Sequence, residues 1–367
     1  VLIAVPVTAS AQVPDLLSAL DIGGRAMGYG GGSYVTDSNT ISAYANPAGL
    51  AYVGDSDFGF VLRNLPESST NLTGSFRNPT QETTSERGAF AVTHLGYATR
   101  LKGRGGVGVA FTTGGFIRDT QTGNGLNDGN VVVRDYINIT QVKSDFFTIS
   151  YGQSTGERGF SYGAGLVVAT VGVLNKTRGS QLDNAGNFIG RIDVDNSSLG
   201  VGVGGVIGLM YVPTNAANVS FGLSFRTPID LGNNSSTAAY FDRIPAKLSG
   251  GFAYRHDGLR GGRDFLILAL QADAYIGGQT NKLISRKNEV VVGSGLEYNY
   301  QMGSTRIPIR VGYQLAPGAG TGFQARDSLT FGVGYRPNNA KFAIDLNFAS
   351  PTRGGQIDTA LCITYRK

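Results

Sequence analysis

Residues 327–336 read Asp327-Ser328-Leu329-Thr330-Phe331-Gly332-Val333-Gly334-Tyr335-Arg336. From Leu329 to Tyr335 every second residue is large and apolar, and the residues between are Thr or Gly. Successive side chains of a strand point to opposite faces, so this spacing predicts a strand with one apolar face and one small or polar face. A turn-sized Arg336-Pro337-Asn338-Asn339 follows, and the alternation resumes at Phe342, Ile344, Leu346 and Phe348, then at Leu361, Ile363 and Tyr365. Upstream it recurs at Phe58/Phe60/Leu62, Val107/Val109/Phe111, Phe160/Tyr162/Ala164/Leu166/Val168, Val219/Phe221/Leu223/Phe225, Leu296/Tyr298/Tyr300 and Ile307/Ile309/Val311/Tyr313.

The pattern predicts about fourteen strands, near 57–64, 88–101, 104–117, 142–153, 158–172, 198–212, 217–226, 245–256, 264–276, 288–301, 305–315, 327–336, 340–349 and 357–366. Most are longer than the five or six residues common in soluble sheets, and long enough for a tilted strand to cross a bilayer, which takes about 9–11 residues. Connectors alternate between tight (Lys102-Gly103) and long and polar (65–87, 118–141, 173–197, 227–244). Short turns at one end and long loops at the other describe a transmembrane antiparallel β-barrel. A propeller would show a repeat of about forty residues, and none is present.

Composition excludes the other classes. Of 367 residues 55 are Gly, charged residues make up 16%, one is Cys and none is Trp. A disordered chain would carry more charge and fewer aromatics, and a disulfide scaffold more cysteines. No run of apolar residues is long enough for a membrane helix. The net charge of +5 is scattered along the chain, without the clustering a nucleic-acid partner needs.

Residues 1–11 (VLIAVPVTASA) join an apolar run to an Ala9-Ser10-Ala11 site of the small-x-small kind, and are expected to be the remnant of a secretory signal. Pro14 to Leu20 has the pattern of one or two helical turns. Residues 12–54 as a whole keep neither period, are rich in Gly and other small residues, and precede the first strand. A fourteen-strand barrel is too wide for its own side chains to fill, so this segment is expected to be a plug inside the lumen, with 55–367 as the barrel.

Here the residues carry a resemblance. Gly23-Gly24-Arg25-Ala26-Met27-Gly28, Asp37 and Asn46-Pro47-Ala48-Gly49-Leu50 resemble the start of the FadL-type long-chain fatty acid transporters. Phe225-Arg226-Thr227-Pro228, Ile244-Pro245-Ala246-Lys247-Leu248, Gly251-Phe252-Ala253-Tyr254-Arg255, Arg310-Val311-Gly312-Tyr313 and 329–335 extend it to the end of the chain. The resemblance implies a bacterial outer-membrane barrel with an N-terminal hatch, passing hydrophobic molecules such as long-chain fatty acids without an energy source, through the lumen or a lateral gap. It implies hatch residues Asn46, Pro47, Ala48 and Gly49, with Arg25 as a carboxylate partner. The partners it implies are outer-membrane lipids and a hydrophobic small-molecule ligand. The Asn-Pro-Ala-Gly-Leu opening is also similar to PorV/PorQ-like barrels, whose partners are surface or secretion proteins, and a general diffusion porin is the third alternative.

No cofactor or metal is expected, and no enzymatic activity. His94 and His256 are the two histidines, and no G-x-S-x-G elbow precedes a helix. Phase places His94 beside Phe90 and Val92 in a wall strand. Gly200-Val201-Gly202-Val203-Gly204 lies within an alternating strand, where it thins the lumen wall and binds no nucleotide. Asn124 to Asn130 (NGLNDGN) lacks the closing Glu of a calcium loop and reads as a turn. Arg100, Asp273 and Arg310 fall in the lumen phase, as does Cys362.

Overall fold

The computed structural model describes residues 24–32, 35–77, 79–156, 159–232, 242–280, 285–320, 325–338, 341–352 and 357–367. The expected signal remnant and the helical turns at 14–20 lie outside the described residues. Fourteen strands form the wall: β1 Ser56–Gly74, β2 Pro79–Arg100, β3 Gly105–Gly123, β4 Val131–Ser154, β5 Gly159–Asp183, β6 Ser198–Val212, β7 Val219–Arg226, β8 Ala246–Gly258, β9 Asp264–Ile276, β10 Glu289–Met302, β11 Thr305–Leu315, β12 Ser328–Pro337, β13 Phe342–Pro351 and β14 Asp358–Arg366. Each pairs antiparallel with the next. β14 returns to β1, from Asp57↔Arg366 to Arg63↔Ala360, and closes the barrel. Closure pairs the last strand with the first, so the sheet has no terminal free edge, as a bilayer requires.

The alternation sorts the two faces. Phe331 is 46% exposed on the outside, whereas Thr330 next to it is fully buried inside. The outer face is apolar, and near the short turns it carries exposed tyrosines at 97, 151, 162, 211, 335 and 365. This is an aromatic girdle at one membrane interface.

Strand boundaries near the short turns agree with the sequence reading to within a few residues. At the other end the strands run on: β4 has 24 residues and β5 has 25. Much of 65–87, 118–141 and 173–197, read as loops, is ladder extending past the bilayer. Its Thr, Asn and Gln side chains break the hydrophobic alternation, while the backbone groups still pair with their neighbours. Short strands at Leu126–Asp128 and Phe188–Asp195 add to these extensions. Within Asn124 to Asn130, read as a turn, Leu126–Asp128 is a short strand paired with Val131–Val133, flanked by Gly125 and Gly129 at positive φ.

Between β2 and β3 the wall departs from simple neighbour pairing. β2 and β3 pair only from His94↔Thr112 to Arg100↔Gly106. Farther out, β1 lies directly beside β3 in a parallel ladder, Glu67↔Arg118 to Leu72↔Gly123. β2 stays paired to β1 throughout, with a register shift that leaves Thr93 unpaired between Val61↔His94 and Leu62↔Val92. β3 has a bulge at Gly114. The two irregularities sit where β2 and β3 part, as bulges commonly do where pairing ends. Between the His94/Thr112 and Glu67/Arg118 rows, residues 113–117 of β3 have no ladder partner on that side among the described pairings.

The Thr93 bulge also reverses the phase of β2. Phe90 and Val92 face outward, whereas His94 is buried on the lumen side, opposite to the strict-alternation expectation.

Candidate functional site

Residues 24–32 and 35–54 lie within the ring of strands. They form α1 (Gly24–Gly28), α2 (Ser42–Ala45) and a 3-10 helix at Pro47–Tyr52. None of these is long enough to be stable alone; packing against the wall holds them. The wall has been thinned to receive them. A Cβ built on Gly295 would lie 2.7 Å from Tyr29 Cα, and one on Gly163 would lie 2.7 Å from the Ala48 nitrogen. Gly106, Gly152, Gly208, Gly222, Gly293 and Gly312 likewise face the backbone or Asn46 of the inner segment. Gly202 and Gly204 do the same for Ile229 and Asp230, a piece of chain folded inward after β7, in agreement with the wall-thinning expectation.

Asn46 organises the turn between the two helices. It is fully buried and caps the 3-10 helix, accepting from the Ala48 N–H at 3.2 Å. Its amide donates to Val35 O at 2.7 Å and to Leu209 O of β6 at 3.2 Å. Pro47 occupies the first helical position, where its missing N–H costs nothing. Ala48 is fully buried, and a Cβ on Gly49 would meet Asp37 O at 2.5 Å. Further contacts to the wall run from Ser150 Oγ to Ala43 O at 2.6 Å, from Thr330 Oγ1 to Gly28 O at 3.2 Å, and between Thr40 Oγ1 and His94 Nε2 at 3.1 Å.

Arg25 ties α1 to the wall by charge. Its Nε and Nη2 donate to Glu297 at 3.0 and 2.9 Å, Nη1 to Asp37 at 3.1 Å, and Nη2 also to the Tyr29 hydroxyl at 3.0 Å. Glu297 is shared with Arg310 at 2.6 Å, and Arg310 continues to Asp345 at 2.7 Å, which Arg336 meets at 3.3 Å. Three guanidinium groups thus face three carboxylates. The charges balance, and Asn299 donates to Glu297 at 2.7 Å. The structure therefore brings all five residues expected from sequence into the inner segment. The carboxylates around Arg25 belong to the protein itself. Glu297 and Asp345 were missed, although both lie in the lumen phase of strands already recognised.

Arg310 and Asp273 are buried in the lumen as expected, Asp273 with Lys247 at 3.2 Å, while Arg100 is exposed at the short-turn end of β2. Cys362 is buried beside Asn347 in the lumen. Among the described residues no group of His, Cys, Asp and Glu could hold a metal.

On the short-turn side the inner segment roofs a cavity of about 750 Å³ that reaches the rim. Arg25, Thr36, Val61, Arg255, Arg336 and Arg366 are among its lining residues. On the long-loop side one part of the inner wall is apolar: Val142, Phe146, Val167, Ala169, Val171, Val173, Val206 and Val291 are buried in one cluster with Tyr44 and Ala45 of the inner segment, while Arg226, Lys247, Asp273 and Glu289 are buried in the same half. Phe146 stands directly behind the wall irregularity, because a Cβ on Gly114 would run into its ring.

Neither a family model nor a curated protein matches the sequence. Solved structures do match along nearly the whole chain. The toluene transporter TbuX of Ralstonia pickettii is 17% identical, with 96% of this chain and 99% of that chain covered and a TM-score of 0.60. A FadL homologue of Pseudomonas aeruginosa is 15% identical, with 96% and 98% covered and a TM-score of 0.60. The toluene transporter TodX of Pseudomonas putida is 14% identical, with 96% and 99% covered and a TM-score of 0.61. The chain has the fold these transporters share, the FadL-type barrel.

Proposed function

We propose that the protein is a passive channel of the bacterial outer membrane for hydrophobic molecules such as long-chain fatty acids, with residues 12–54 as its hatch. The apolar inward stretch of β4 and β5 in the outer half carries this reading. A water-filled porin lines its channel with polar and charged groups, whereas here β5 turns Val167, Ala169, Val171 and Val173 inward. Such a lining receives apolar solutes and resists ions.

A molecule entering from the long-loop end meets that lining first. Straight passage is blocked by α1, α2 and the 3-10 helix, which Asn46 and the Arg25–Glu297 pairs hold in place. The part between β2 and β3 offers a side exit. His94 lies six residues above Arg100 in β2, about 20 Å along the strand, so the part falls within the stretch that crosses the bilayer. Release there delivers an apolar molecule into the membrane and keeps it out of water. No energy source is needed, because partition from outside into lipid is downhill.

The test is uptake of a radiolabelled long-chain fatty acid by cells lacking their own transporter, alongside conductance of the purified barrel in planar bilayers. The expected result is uptake restored with little ion conductance. Steady conductance without restored uptake would make it a diffusion porin.

A further inference from the structure

The short turn between β2 and β3 is Leu101-Lys102-Gly103-Arg104. The Leu101 N–H closes it by donating to Gly105 O at 2.9 Å, and Gly103 takes a positive φ that a side chain rarely adopts. With Arg100 the turn places three exposed cations within five residues. None meets a carboxylate among the described residues; Arg104 donates to Thr155 O at 2.6 Å. Other arginines of the same rim are neutralised in place: Arg366 by Asp57 at 2.8 Å, Arg255 by Asp257 at 2.7 Å and Arg260 by Asp264 at 3.0 Å. Asp55 accepts from the Arg100 N–H through its backbone oxygen, and the connector after β4 adds Glu157 and Arg158, which cancel. With Asp55 counted, the turn still keeps an excess of positive charge.

That charge lies where the barrel meets one headgroup layer. Tyr97 and Tyr151 of the aromatic girdle point outward just above it, and Leu101, 42% exposed, carries the outward row of β2 into the turn. A Cβ on Gly105 would lie 2.8 Å from the Tyr151 hydroxyl, so that ring reaches down to the turn. Short turns of an outer-membrane barrel face the periplasm, so this is the inner layer. An apolar outward row that ends in cations fits a partner that is apolar at one end and anionic at the other. A soluble anion would meet the cations and leave Leu101 in water. An uncharged lipid would cover Leu101 and leave the cations unmatched.

We propose that the β2–β3 turn is a binding site for an anionic phospholipid of the periplasmic leaflet. The lipid phosphate accepts from Arg100, Lys102 and Arg104, and the upper part of its acyl chains lies against Leu101 and Tyr97. The site stands at the foot of the two strands that part higher in the wall. It depends on the barrel's seat in the membrane and not on what the channel carries. The turn between β6 and β7 makes the contrast: Pro213 to Asn218, below Tyr211, carries no charge.

The chain has no Trp, so a single introduced Trp reports on one place in the girdle. Tyr97→Trp and, as a distant control, Tyr211→Trp are each made in the full-length barrel. Both are reconstituted in phosphatidylcholine vesicles containing brominated phosphatidylglycerol or brominated phosphatidylcholine, and quenching gives the relative affinity of the two lipids at each position. The expected result at position 97 is a preference for phosphatidylglycerol of at least about fivefold, the scale of one cation at a membrane surface, falling toward one at high salt. At position 211 the ratio stays near one. Arg100→Gln, Lys102→Gln and Arg104→Gln together bring the ratio at position 97 close to one. Lys102→Gln alone lowers it partway and decides the matter should the triple variant fail to assemble. A ratio near one at position 97, an equal preference at both positions, or a preference these substitutions leave unaltered overturns the site. Salt-sensitive binding of polyglutamate without any lipid preference assigns the turn to an acidic soluble partner and overturns it too.

Discussion

Along β5 the inward row begins Ser161, Gly163, Gly165 and continues Val167, Ala169, Val171, Val173. One strand therefore serves two interiors. The half toward the short turns is a seat: its inward residues are small, and the space they leave is taken by residues 24–54, fastened by hydrogen bonds and a balanced set of ion pairs. The half toward the long loops is a lining: its inward residues on this strand are three valines and an alanine, and the wall there departs from regular pairing. Small residues are inert where another backbone fills the space, and bulky ones serve where a ligand is to be met. On the proposed reading, blockage and recognition occupy separate heights of the same barrel, so each should respond to substitution on its own.

The largest expected effect comes from Glu297→Ala, which leaves Arg25 and Arg310 facing each other. Removing one partner of a buried pair costs about 3–5 kcal/mol. The seat should fail while the lining stays intact, seen as a lowered unfolding temperature and a rise in ion conductance. Gly163→Val comes next. It intrudes on the Pro47–Ala48 backbone and should weaken docking of the inner segment by about 1–3 kcal/mol, the range for overpacking. Protease cleavage within 24–54 measures it. Asn46→Leu removes the cap and both amide hydrogen bonds at about 1–3 kcal/mol, again raising conductance; hydrophobic uptake unchanged in this variant would count against the hatch. The smallest effect belongs to the other half. Ser68→Ala removes a 2.6 Å hydrogen bond to Asp119 across the parallel β1–β3 ladder, worth about 0.5–1.5 kcal/mol. It should alter hydrogen exchange near residues 67–72 and leave conductance at its original level.

The barrel was legible because alternation is a local signal, repeated fourteen times and sharpest where lipid demands an apolar outer face. The seat was partly legible too, since Asn46-Pro47 stands out in a linear reading, and Gly200-Val201-Gly202-Val203-Gly204 marked a second thinned stretch of wall that receives Ile229 and Asp230. Three features were hidden. The ladders extend beyond the bilayer because backbone pairing continues where side-chain contrast ends. The bulge at Thr93 inserts one residue and moves His94 to the opposite face, which no two-residue period can foresee. The lining was visible only as a loss of pattern: Leu166-Val167-Val168-Ala169 is apolar on both faces, the mark of a strand with no wet side.

The tyrosines at 97, 151, 162, 211, 335 and 365 have a consequence for how the barrel rides in membranes of different thickness. They anchor the short-turn rim to one headgroup layer, while extended ladders of up to 25 residues leave the opposite rim without a sharp stop. A thicker or thinner bilayer is then accommodated at the far side, at a fraction of a kcal/mol per Å. The part between β2 and β3 keeps a constant depth below the inner headgroups, so cargo released there would enter the same leaflet whatever the composition of the other.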